Sequence, residues 1–404
     1  MPHLDRDLKV LMVAIALWAL AVGMYLQLLF VYAMDLGASR FTIGWLNAVM
    51  LGTMAACYIP GAWATDHFRL RTIIVATWWL TVPAAVCYAL APSWPWLLPG
   101  LVLTGLSNAS NPSLKAYICL RSEPSRVARD LTFVFGAYPA GLVIAPLVGG
   151  FLAARYGIPT VFWLSAALYA LSAVATSLIH DEPYCPGDIP WVFADVRRNR
   201  AFRRYVLFFL VGFLAVYVGQ PFLNPYLAQV HAQGYAALGV FAALAALGAA
   251  LLTPLGGRIA DLRGPRVGVV VMLGLLLAGT LLLVGGTSWA LWALAMFLCG
   301  GYEAFRQLAT GIVGRSFGAI PLPWGYAIFD TIMGLPMAGG AILGGLLFRT
   351  GATLPFVFVA GVAAALIVVL LVWRPAPPTR ARAPTGQTPS LTTGLSPQRG
   401  NELS

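Results

Sequence analysis

Apolar runs of about twenty residues alternate along the chain with short polar breaks, and this alternation predicts twelve membrane-spanning helices. The runs lie at about 8–32, 41–64, 72–90, 97–120, 131–154 and 159–179, then at about 205–229, 235–255, 267–284, 289–313, 322–348 and 354–373. Helix is the expected form because it satisfies its own backbone hydrogen bonds where water is absent. Between the sixth and seventh runs lies the longest polar stretch, 180–204. Its first part is acidic and proline-rich; its second, 191–204, mixes aromatics with arginines as a helix lying on a membrane surface would. From 374 to 404 the chain is Pro, Thr, Ser, Arg and Gly with almost no apolar residues, so a disordered tail is expected there.

The polar stretch Gly257 to Arg266 separates two apolar runs and is expected to form a tight loop at a membrane surface. A shift of 195 residues (66 to 261) carries Asp66 onto Asp261 and Arg71 onto Arg266. The same shift superposes Gly61 on Gly256, Gly105 on Gly300, and Gly149 and Gly150 on Gly344 and Gly345. Acids are scarce in this chain, so the two Asp…Arg stretches carry more weight than the glycines. A repeat this long means two similar membrane halves rather than a solenoid of short units. The expected organisation is a six-helix bundle over 1–179, a linker over 180–204, a second six-helix bundle over 205–373, and the tail.

Composition agrees: 60% hydrophobic residues, 10% charged residues and a mean hydropathy of +0.81 leave too little polar surface for a soluble protein of 404 residues. The net charge of +11 is distributed unevenly. With helices in series, Arg69, Arg71, Arg121, Arg126, Arg129, the arginines of 197–204, Arg258, Arg263, Arg266 and Arg315 fall in alternate loops; the opposite loops hold Arg40, Arg155 and Arg349. That asymmetry predicts both termini in the cytoplasm of a multi-pass cell-membrane protein. It also argues against a nucleic-acid partner, because no basic domain stands outside the membrane. The five cysteines have no ligand-like spacing and the four histidines are scattered, so neither disulfides, metal nor cofactor is expected.

Polar residues inside the spans mark the candidate site. The fourth span holds Asn108, Asn111 and Lys115, which step by three and four onto one helical face. The tenth holds Glu303, Arg306 and Gln307. Ionisable residues at mid-membrane are costly and usually face a cavity or a partner, and the i,i+3 spacing of Glu303 and Arg306 allows a salt bridge. The repeat sets Glu303 against Asn108 and Arg306 against Asn111, so the fourth and tenth spans present equivalent polar faces. Asp330 is the other acid within a span, a proton site or a partner for a loop arginine, whereas Asp35 reads as a solvated helix end. Gln27, Gln220 and Asn224 are expected to line a cavity from the first and seventh spans.

The duplication, the paired Asp…Arg stretches and the fifth span together resemble the major facilitator superfamily. The family's loop pattern, G-x-x-x-D-(R/K)-x-G-R-(R/K), is met in the second copy at Gly257, Asp261, Gly264 and Arg266; the first copy keeps Asp66 and Arg71 but has Ala62, His67 and Arg69 at other pattern positions. The resemblance implies a latch between the halves, with Asp66 and Asp261 capping helix N-termini across it. The fifth span, with Gly141, Pro146, Gly149 and Gly150, is similar to the G-x-x-x-G-P-x-x-G-G signature of the family's proton-coupled exporters, with Ala145 at its second glycine. Leu101 stands where drug exporters of the family usually carry arginine.

The resemblance implies an all-α membrane protein of twelve helices in two pseudo-symmetric bundles, rocking around a midplane site. The expected function is proton-coupled efflux of a small organic molecule, with Glu303 and then Asp330 as coupling carboxylate, and Asn108, Asn111, Lys115, Gln220 and Arg306 in contact with substrate. An importer or facilitator of a sugar, amino acid or organic anion is the alternative; a non-transporting receptor or a membrane-embedded enzyme stands further off. The expected partners are the substrate, protons and the lipid bilayer, and the chain is expected to act as a monomer.

Overall fold

In the computed structural model the chain is described over residues 5–123, 126–181, 200–314 and 322–372, and among the described residues the regular structure is entirely helical. Residues 1–374 form one compact unit. The expected surface helix at 191–204 and the tail at 374–404 lie largely or wholly outside the described residues.

Among the described residues, ten segments are long and apolar enough to cross a membrane. They correspond to every predicted span except the fourth and the tenth. Most of the rest are α3 (Arg40–His67), α8 (Val127–Tyr156), α9 (Ile158–Ser177), α12 (Tyr235–Arg263), α13 (Pro265–Gly285), α16 (Leu322–Thr350) and α17 (Leu354–Val372). The first span is α1 (Arg6–Tyr25) and α2 (Leu29–Asp35), the third α4 (Leu70–Trp79) and α5 (Thr81–Ala89), and the seventh α10 (Arg200–Gly219) and α11 (Leu223–Val230).

The fourth span is α6 (Leu97–Ser107), one 3-10 turn over Asn108–Ser110, and α7 (Asn111–Arg121); the tenth is α14 (Trp289–Cys299) and α15 (Gly301–Gly314). Pro112 opens α7, where its missing N–H costs nothing. Under the 195-residue shift the two breaks nearly coincide. So do those of the first span, around Leu26 to Leu28, and the seventh, at Gln220–Phe222.

The same shift relates the principal helix contacts. Helix α3 packs on α16 as α12 packs on α8, and α1 packs on α8 as α10 packs on α16. Two cross-half seams therefore run through the molecule, related by the internal repeat. Large apolar side chains left on the outside, such as Leu207, Leu262 and Phe151, suit a lipid-facing surface.

The motif stretches differ from expectation. Helix α12 continues through Gly257 and Asp261 to Arg263, and only Gly264 separates it from α13. Gly264 has φ +96, a left-handed conformation open to glycine, and Pro265 at once begins the next helix. In the first copy Asp66 and His67 likewise belong to α3, leaving Phe68 and Arg69 as the link. The expected loops are thus helix ends joined by one or two residues. We call the end carrying Arg71, Arg121 and Arg266 the basic end.

Candidate functional site

The breaks in the fourth and tenth spans place polar side chains in the middle of the bundle. In the first turns of α15, Arg306 donates from Nε to Glu303 Oε2 at 2.9 Å and from Nη2 to Glu303 Oε1 at 2.5 Å, and Gln307 Nε2 donates to the same Oε1 at 2.7 Å. This is the salt bridge expected from the spacing. Arg306 and Glu303 nevertheless keep 38% and 24% of their side-chain exposure, so they face open space rather than packed protein.

Across from them, Asn108 Nδ2 donates to Thr104 O at 2.9 Å, and Asn111 Nδ2 donates to Asn108 Oδ1 at 3.5 Å. The two asparagines hold the 3-10 turn and one another. One turn further on, Lys115 Nζ lies 4.9 Å from the centre of the Tyr326 ring, a cation–π contact from α7 to α16. Asp330 faces the same region: a small cavity is lined by Tyr58, Asn111, Lys115, Tyr326 and Asp330. Asp330 lies within electrostatic reach of Lys115 and Arg306, so its charged neighbours are these cavity cations.

The sequence reading missed the tyrosines near the ionic groups, of which Tyr58 and Tyr326 line the small cavity. Tyr58, Tyr138, Tyr217, Tyr302 and Tyr326 come from five helices and interact electrostatically with the central ionic groups. Each is one tyrosine among many in the chain, so no spacing marks them as a set.

Other predicted positions fall elsewhere. Asn224 is 1% exposed and donates from Nδ2 to Gln27 O at 3.1 Å, sealing the halves together. Gln220 borders a separate, mostly apolar pocket with Thr280, Cys299 and Tyr302. In α8, a Cβ on Gly141 would lie 2.7 Å from Ala19 Cβ, and Gly149 sits against the backbone of Met24. Pro146 O and Gly150 meet Gly239 of α12, so this motif works here as a close-packing surface.

At the basic end Asp66 reaches across the halves, but to a side chain: Trp324 Nε1, in the first turn of α16, donates to Asp66 Oδ2 at 2.9 Å. Arg71 stays within its own half and donates to Ser177 O at 2.6 Å. The opposite end is closed by contacts that sequence reasoning did not find. Tyr235 Oη donates to Asp35 Oδ2 at 2.5 Å, Arg40 Nε donates to Gln229 Oε1 at 2.7 Å, and Arg40 lies over the Phe348 ring at 5.1 Å. Asp35 is exposed, as expected of a solvated helix end, and also accepts this bond across the halves. Between α11 and α12, His231 packs against Trp292 with tilted rings and centroids 4.0 Å apart, and burial pushes its pKa down.

Pseudo-symmetric helices around a central group of ionic side chains, with cross-half contacts toward both ends, define the build of a multi-pass membrane protein. The sequence agrees: residues 11–244 and 205–402 match the family profile described as Major Facilitator Superfamily. The chain belongs to the major facilitator superfamily.

Among curated relatives, the chain is 27% identical over 410 residues to "Transcription regulatory protein OpdE" of Pseudomonas aeruginosa, covering 93% of this chain and 95% of that protein. It is 22% identical over 372 residues to "Multidrug resistance protein B homolog" of Mycobacterium tuberculosis, covering 77% and 67%. The chain spans less than half the length of other curated relatives that it matches, such as 28% of "MFS-type transporter ppzB" of Metarhizium rileyi, at 27% identity over 33% of this chain. The crystal structure of nucleoside transporter NupG superposes with a TM-score of 0.75 at 12% identity, over 91% of this chain and 99% of that one, a likeness of fold.

Proposed function

We propose that this protein is a proton-coupled secondary transporter that moves a small organic molecule out of the cell by alternating access. The observation that carries the reading is the Glu303–Arg306 pair, half-buried within a span, whose arginine lies within electrostatic reach of Lys115 and Asp330, two residues that line a small cavity where both halves meet. A charged pair in this position is expensive unless it serves the cavity. Its carboxylate is the first choice for proton coupling, and Asp330 is the second. In this reading the bundles 1–179 and 205–373 rock about the cavity in the cell membrane, the chain acts as a monomer, and both termini lie in the cytoplasm.

The arginine asymmetry then puts the basic end inside, and the closed end, with Asp35, Arg40 and Tyr235, faces outward. Efflux is the direction supported by the name of the Mycobacterium tuberculosis relative. Import of an organic anion is the second reading, favoured by Lys115 in the cavity and by Arg306 within electrostatic reach of it.

The test is proton movement in proteoliposomes holding a pH gradient and challenged with lipophilic cations, organic anions, sugars and amino acids. One class should dissipate the gradient through the wild type. Transport without proton movement would leave a facilitator. Ligand binding without any flux would leave a membrane receptor.

A further inference from the structure

Two features of the cavity bear on what it holds, given the proposed reading of it as a transport site. The first is where the hydrogen-bonding capacity stands free. Glu303 accepts on both oxygens, from Arg306 on each and from Gln307 on one, which leaves it little to offer a cationic ligand. Arg306 commits the edge formed by Nε and Nη2, so the edge formed by Nη1 and the second Nη2 proton donates to no described residue. That second edge is the planar fork that matches a carboxylate. The ammonium of Lys115 also donates no hydrogen bond to a described residue; its contact is the face of Tyr326.

The second feature is the company of Asp330. Among the described residues it is the remaining carboxylate that lines the small cavity, and Lys115 lines it as well. Arg306 lies within electrostatic reach of both. An ammonium ligand at Asp330 would meet the like charges of Lys115 and Arg306, while a carboxylate at Lys115 would meet the single carboxylate of Asp330, so the two free cationic donors tip the choice. A carboxylate would meet free donors from α7 in one half and α15 in the other. Around them stand the rings of Tyr58, Tyr217 and Tyr302, which offer flat apolar faces with polar edges.

We propose that the substrate is an aromatic organic carboxylate, its carboxylate group bridging the free edge of Arg306 and the ammonium of Lys115, and its ring lodged among the tyrosines. Bridging joins the two halves through the ligand, so binding itself favours closure around the site. A ring-matched amide lacks the charge and a ring-matched amine reverses it.

The experiment uses the full-length protein in proteoliposomes. The probes are benzoate, phenylacetate and 2-naphthoate beside benzamide and benzylamine, read by uptake of the labelled compound and by ligand-induced change in thermal stability. At least one carboxylate should bind and cross, with benzamide and benzylamine at least tenfold weaker. Lys115→Gln should raise the half-saturating concentration at least tenfold, and Lys115→Arg should restore most of it. Arg306→Lys, which keeps the partner charge for Glu303 but loses the planar fork, should weaken the carboxylates while leaving thermal stability near wild type.

Three outcomes overturn the proposal: no carboxylate binds, benzylamine binds as well as benzoate, or carboxylate binding ignores both Lys115→Gln and Arg306→Lys. If amines cross with proton movement that Glu303→Gln abolishes, the substrate class is wrong and the transport reading stands. If no compound of any class crosses, both are overturned.

Discussion

Gly150 and Gly239 cross backbone against backbone, and 195 residues away on each chain segment Gly345 and Gly44 make the matching crossing. A Cβ on Gly150 would lie 2.7 Å from Gly239 Cα, and one on Gly44 would lie 2.9 Å from Gly345 Cα. The two crossings belong to the two seams, α8 on α12 and α16 on α3. Both lie toward the end opposite the basic one, where Asp35 and Tyr235 also meet. Backbone approach of this kind needs a residue without a side chain, and in a membrane such packing is what holds helices together.

Substitution at these crossings should therefore act on both stability and cycling. Gly239→Leu is expected to destabilise the protein by about 1–3 kcal/mol through overpacking, and to reduce transport by wedging the closed end. Gly274→Ala is the control: it lies within α13, a Cβ there meets nothing within 4 Å, and removing a helical glycine should stabilise by roughly 0.5–1 kcal/mol. Thermal unfolding in detergent reads both. Equal effects at the two glycines would refute the assignment of the crossing as a structural contact.

The closed end depends on polar contacts that can be removed singly. Tyr235→Phe deletes the hydrogen bond to Asp35, and a net contribution of about 1 kcal/mol would raise the population open at that end several-fold. A cysteine replacing Ala38, a residue 8% exposed in this structure, should then be alkylated several-fold faster in a background free of native cysteines. Arg40→Ala, which removes the Gln229 hydrogen bond and the contact on Phe348, should act in the same direction. Unchanged labelling in both variants would show that the contacts are incidental.

Asp7 ties together the basic end of the first half. It accepts from Tyr117 Oη at 2.9 Å, Arg121 Nη2 at 2.8 Å and the backbone N–H of His180 at 2.9 Å. Its side chain keeps 2% exposure, so removing it takes one acceptor away from each of these donors. Loss of one partner from a buried ion pair costs roughly 3–5 kcal/mol, and the nearby Asp5, 3.1 Å from Arg121 Nη1, should hold the loss toward the low end. Asp7→Ala should lower thermal stability markedly while Asp7→Glu loses less. Wild-type stability of the alanine variant would mean that the network has no structural weight.

How much of this was legible in the sequence differs from feature to feature. The spans and the duplication were, because the bilayer imposes a long apolar run on each crossing and the repeat preserves rare acids in register. The pairing of Glu303 with Arg306 was, because it is decided within one helical turn. The continuity of α12 through Asp261 was not: a glycine-rich polar stretch reads as a loop, while the chain turns at a single residue, Gly264. The contact of Asp35 with Tyr235 was not, since it joins residues 200 apart. Nor were the tyrosines, whose common direction exists only after five helices have packed. Asn224 shows a different limit: its place on the seventh span is legible, but its rotation about that helix, which turns it into the seam with Gln27, is not.

The sharpest prediction concerns the two carboxylates of the cavity. Glu303→Gln preserves shape and removes charge, leaving Arg306 without its counter-ion. Because Arg306 and Glu303 keep 38% and 24% side-chain exposure, the cost in stability should fall below the roughly 3–5 kcal/mol seen when a fully buried pair is broken. If Glu303 is the coupling group, the variant should fold and bind ligand but show no ligand-driven proton movement, while Asp330→Asn retains it. The reverse pattern would assign coupling to Asp330, whose neighbours Lys115 and Arg306 stay in place in that variant. Unfolding of Glu303→Gln with full proton movement in Asp330→Asn would leave the ion pair inseparable from the fold, and Glu303→Asp would then decide. Restored folding with lost flux marks a coupling role, and restored folding with normal flux in a carboxylate of shorter reach marks a tie between turns of α15.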